Sequence, residues 1–115
     1  MRKRMIETAA QEVATQVRTV EDSIEQALEE IAELQARMIR ARAAAGVATA
    51  TGHEALVQLT NATIGLVSAR GGMANCHAIL KDTTVQVPGL RTTGLGEADE
   101  CPTVTGRSAD LRIVA

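Results

Sequence analysis

The sequence predicts a mainly α-helical chain: a long N-terminal coiled-coil helix, a second helical segment, and an extended C-terminal tail with short β segments. Three observations predict it. Between Met5 and Ala45, apolar or small residues recur in an unbroken 4-3-4-3 rhythm, the seam of a helix that lies along another helix. The chain of 115 residues has no Phe, Tyr or Trp, so an interior would rest on Leu, Ile, Val, Met and Ala, and a self-contained globule is hard to stabilise. From Thr83 onward the helical period disappears.

The first segment, residues 1–45, is read as a coiled-coil oligomerisation helix. Ala10, Val17, Ile24, Ile31, Met38 and Ala45 fall at a, and Ile6, Val13, Val20, Ala27, Leu34 and Ala41 at d. The opposite face carries Glu12, Thr15, Arg18, Asp22, Glu25, Glu29, Glu33 and Arg40, a solvated polar surface. Arg37, Arg40 and Arg42 gather at the negative pole of the helix dipole, while Arg2, Lys3 and Arg4 sit at the positive pole and favour fraying there.

The positions flanking the seam bear on partner choice. Parallel pairing would join Gln16 to Glu21, Glu30 to Gln35 and Arg37 to Arg42, and none of these is a salt bridge. A zipper-like charge code is therefore absent. Leu28 at e and Ile39 at b widen the apolar face, which favours a bundle of three or more helices, between chains or with the chain's own second helix. A first helix of this length spans about 60 Å, more than the second can cover, so part of the seam is expected to meet another chain. With Ile and Val shared between a and d and no buried Asn, a homo-oligomer is expected and a trimer preferred to a dimer.

Residues 46–82 form the second helical segment. Gly46 and the weak helix formers after it mark a break, and Thr51-Gly52-His53-Glu54 fits a capping box at a new helix start. The segment runs on through Leu56, Leu59 and Leu66 and is read as interrupted at Gly71-Gly72. Counting in sevens from Ala45 nevertheless reaches Gly52, Leu59, Leu66, Met73 and Leu80, with Ala48, Ala55, Ala62, Ala69 and Cys76 between them. One long helix to about Lys81 is thus the rival of a hairpin, and the agreement of Gly46 with the capping box favours the hairpin.

Residues 83–115 are read as an extended docking tail. Thr84-Val85-Gln86-Val87 alternates like a short strand, Pro88-Gly89 signals a type II turn, and Leu111-Arg112-Ile113-Val114 alternates again. Val85, Val87, Leu90, Leu111 and Ile113 are the tail residues expected to grip a neighbour, because strand addition needs an extended segment with free backbone groups. The residues expected at the oligomer interface are Ile6, Val13, Val17, Val20, Ile24, Ile31, Leu34 and Met38.

Chemistry-bearing motifs are sparse. Cys76, His77, Cys101 and His53 lack the knuckle spacing of a zinc site, so no metal or cofactor is expected, and Cys76 reads as a small buried hydrophobe at a seam position. Adjacent helical residues point roughly 100° apart, which keeps Cys76 and His77 from acting as a dyad. Two cysteines are too few for a disulfide scaffold, and free thiols are the expectation. Gly71-Gly72 and Gly94-Leu95-Gly96 lack the pattern of a phosphate loop. Asn61-Ala62-Thr63 matches a glycosylation acceptor only by chance, since it falls within a helix. A net charge of −2 gives no field to gather nucleic acid, and no apolar stretch approaches a bilayer span. No apolar region follows the basic start, so synthesis in the cytoplasm is expected. An enzyme is not.

The N-terminal coil from Ile6 to Ala45, the Gly-punctuated second segment and the Val87-Pro88-Gly89-Leu90-Arg91 tail together resemble small virion-associated structural proteins of tailed bacteriophages. The resemblance is one of plan over the whole chain and assigns no residue a role. It implies a stoichiometric part of a particle, such as a tail, connector or fibre-attachment component, in which the coil sets symmetry and the tail grips a neighbour. The alternative from the residues themselves is a regulatory adaptor whose helical hairpin binds a helical partner.

Overall fold

The computed structural model of the chain describes residues 1–89. Two helices form within them, α1 (Arg2–Ala45) and α2 (His53–Gln86), and no strand is present among the described residues. The architecture is mainly α.

The first helix contains no Gly or Pro and many strong helix formers, which is why its 44 residues run without a break. Glu33 accepts from Arg37 at 3.0 Å and from Arg40 at 3.2 Å on its solvated side. All three side chains are more than half exposed, so these pairs add little to stability. The helix stops at Gly46, which takes a left-handed φ of 65°. Its N–H reaches back to the carbonyls of Arg42 (3.1 Å) and Ala43 (3.2 Å), satisfying two groups that the helix end would otherwise orphan.

One side chain then organises the turn. The Arg42 guanidinium donates from Nε to the Thr51 carbonyl at 2.8 Å, and from Nη2 to those of Ala48 (2.9 Å) and Thr49 (2.5 Å). Three loop carbonyls thus converge on the last turn of α1, and the chain is reversed into a hairpin.

The start of α2 departs from the capping-box expectation. Gly52, at φ 77°, opens the helix: its carbonyl accepts from Ala55 N–H at 3.1 Å and from Leu56 N–H at 3.4 Å. Glu54 uses its carboxylate to accept from Gln58 Nε2 at 3.0 Å, one turn further on. The left-handed backbone that Gly52 permits places the helix start one residue after Thr51, with Gly52 rather than Thr51 as the capping residue.

Two further expectations are corrected in α2. Gly71-Gly72 does not interrupt it, and Thr84-Val85-Gln86 is helical rather than the start of a strand. Glycines lower helix propensity by about 1 kcal/mol each, too little to break a helix with many turns on either side. The β-branched threonines are accommodated by returning their hydroxyls to the preceding turn. Thr60, Thr63 and Thr83 donate to the carbonyls four residues back, and Thr84 to that of Lys81 at 2.7 Å. The helix yields only before Pro88, whose ring disfavours a helical Val87. The boundary expected at 82–83 therefore moves to Gln86, and Val85 belongs to α2. Leu90, Leu111, Ile113 and Cys101 lie outside the described residues.

The chain divides into two compact units. One is Val20–Gly71, which holds the turn and the adjoining parts of both helices. There Glu25 accepts from Arg70 Nε, a bond between residues 45 apart in sequence that marks the antiparallel register of the pair. The other comprises Met1–Thr19 with the described chain from Gly72 onward. In it the Lys3 side chain passes beside Gly89, close to where a Cβ would stand.

Candidate functional site

What this chain presents is surface. Among the described residues a single apolar side chain, Val17, is buried, at 9% exposure. The seam expected to carry self-association is split by the hairpin. Of its a residues Val17 is buried, Ala10, Ile24, Ile31 and Met38 are half-buried and Ala45 is exposed; Leu59, Leu66, Met73 and Leu80 on α2 are half-buried as well. Its d residues fare unevenly: Ile6, Val20 and Ala27 are half-buried, while Val13 and Leu34 stand 49% and 48% exposed and Ala41 is open.

The second line of small residues on α2 is not where the sevenfold count placed it. Ala55, Ala62, Ala69 and Cys76 are all exposed. The half-buried side chains that alternate with the leucines and Met73 are Thr63, His77 and Thr84. With Leu59 at a, these occupy e. A seam of a and e on both helices explains the shift, since Ala14, Glu21, Leu28 and Arg42 at e of α1 are half-buried too. Cys76 is consequently an exposed free thiol rather than a buried hydrophobe, and it lies on a different face from half-buried His77.

A further line on α2 went unread in the sequence. Val57, Thr60, Ile64, Val67, Gly71, Ala74, Ala78, Lys81 and Val85 follow one another at spacings of 3 and 4. They occupy b and f, positions that a simple coiled coil gives to charged residues. Ile64, Val67 and Val85 on this line are 61%, 54% and 59% exposed. The signal was available. Between Glu54 and Arg70 the helix carries no charge, and its apolar residues lie all round rather than on one stripe, the pattern of a helix enclosed by neighbours.

Among the described residues no three His, Cys, Asp or Glu side chains are placed to hold a metal ion. No described helix is long and apolar enough to cross a membrane. These faces present open Val, Leu and Ile side chains at helical spacing, apolar surface whose removal from water would be favourable. Comparison with protein-family models, curated proteins and solved structures finds no match to this chain.

Proposed function

We propose that this is a non-enzymatic structural or assembly protein that self-associates through its helical seam and docks onto a larger assembly through its C-terminal segment. A bacteriophage virion component (tail, connector or fibre attachment) is the setting to which its plan is most similar. The observation that carries the reading is the unclosed core: among the described residues Val17 alone is buried, while Val13 and Leu34 of the same seam stand half in solvent. A hairpin that leaves its own seam open gains most from another copy that brings the same residues. Homo-oligomerisation is thus the first partner relationship, and neither a cofactor nor nucleic acid enters the reading.

The docking role is assigned to the chain beyond α2, with Val87, Leu90, Leu111 and Ile113 as its apolar residues. Val85 is moved by its helical setting to the surface of α2. A chain ending at Gly89 is expected to keep the oligomeric mass of the full chain in sedimentation equilibrium and to lose incorporation into the larger assembly. Loss of the oligomer on this truncation would overturn the division of labour.

The b and f line of α2 favours a second reading, a regulatory adaptor whose hairpin accepts a helical partner at Ile64 and Val67. Native mass separates the two. A stable oligomer of the purified chain supports the assembly protein, and a monomer at micromolar concentration supports the adaptor.

A further inference from the structure

We infer that the occupant of the open d face is a second copy of this chain, packed so that α1 of each copy lies over α2 of the other in a four-helix dimer. The inference rests on the self-association reading above and names its partner, stoichiometry and register. Its basis lies in the unit Val20–Gly71. Because the two helices there run antiparallel, their d positions fall on the same side of the pair. Glu25 at b and Arg70 at e meet on the other side.

The two sides differ in what covering them would cost. Burying the Glu25–Arg70 side would desolvate an ion pair. At the exposed d positions stand Leu34 and Ala41 of α1 and Ala55, Ala62 and Ala69 of α2, all uncharged, with Glu30 and Arg37 of α1 at the flanking g positions. Within the unit α2 runs from His53 to Gly71, about 28 Å, so an overlap about 18 Å across is on the order of 500 Å² per copy and 1,000 Å² for the pair, the size at which specific interfaces begin.

The face also fits itself. In the register of the Glu25–Arg70 bond, Leu34 lies nearly level with Ala62. A two-fold axis parallel to the helices sets α1 of one copy over α2 of the next without changing its height. Leu34 of each copy then sits over Ala62 of the other, a large side chain over a small one, as interdigitated helix packing requires. An axis perpendicular to the helices would stack like on like, Leu34 towards α1 and Ala62 towards α2, and would forfeit this match. All neighbouring helices are antiparallel in the favoured arrangement, the plan of an up-down bundle.

The test is sedimentation equilibrium of the full chain and four variants, with helicity followed by circular dichroism. The native chain is expected at twice its chain mass. Leu34→Ala and Ala62→Leu should each raise the dissociation constant by about two orders of magnitude, since every substitution occurs twice per dimer. Leu34→Ala combined with Ala62→Leu should recover most of the loss, because each layer again has one large and one small residue. Ile64→Glu, on the b and f line, should leave the dimer intact. A trimer would overturn the dimer while leaving self-association standing, and a monomer would overturn both. Failure of the double variant to recover, with helicity kept, would reject the α1-over-α2 register. Dissociation by Ile64→Glu would move the interface to the other face.

Discussion

Arg42 shows how much of the hairpin depends on one side chain. The guanidinium is a planar fork, and its reach to the Ala48, Thr49 and Thr51 carbonyls satisfies groups that a short turn would leave to solvent. Arg42→Lys replaces the fork with a point charge and is expected to keep at most one of these bonds. A loss of about 1 kcal/mol is the expected scale for hydrogen bonds near the surface. It should appear as faster amide exchange at Thr51 and His53, whose N–H groups close the turn onto Ala48 and Ala50. Unchanged exchange at those two amides would show that the turn holds without the clamp. Gly46→Ala probes the same corner from the backbone. A Cβ there meets nothing within 4 Å, so its cost, about 1 kcal/mol, is the strain of left-handed φ alone. A thermal midpoint no lower than that of the native chain would rule that strain out.

At the scale of elements, the glycines of α2 are the testable weakness. Gly65, Gly71 and Gly72 are helical, and a Cβ built on each meets no atom within 4 Å. Ala at Gly71 and Gly72 together should therefore stabilise the chain by about 1–2 kcal/mol, through helix propensity and a less flexible unfolded chain. A raised thermal midpoint by circular dichroism is the expected result. A lowered one would mean that the f and g positions of α2 at Gly71 and Gly72 are approached closely by another chain.

The same elements explain how far the fold was legible in the sequence. The helix Ile6–Ala45 was written in a period that nothing contradicted, and Gly46 marked its end correctly. The face of α2 was misassigned because the sevenfold count fixes the spacing of a seam but not which neighbouring line completes it. Alanine at d looked more like core than Thr63, His77 and Thr84 at e. The antiparallel geometry decided for e, and that is a tertiary fact. Thr84-Val85-Gln86-Val87 read as a strand because β-branched alternation is a weak prior. It gives way when hydroxyls bond back along a helix already formed.

At the scale of the molecule, stability and association are expected to be one property. Two helices with a single buried apolar side chain among the described residues have little burial to set against their conformational entropy. If copies supply the missing core, unfolding is coupled to dissociation and the melting midpoint depends on concentration. Counting the 89 described residues of each of two copies at an unfolding entropy of roughly 2 cal/mol/K per residue, each tenfold dilution should lower the midpoint by about 4 °C. The substitutions that open the d face sharpen the prediction. Leu34→Ala should lower the midpoint at high concentration, where copies are paired, and matter much less at concentrations where even the native chain is dissociated. A native midpoint constant across a hundredfold dilution would show that the hairpin holds itself. The open faces would then belong to a partner of another kind.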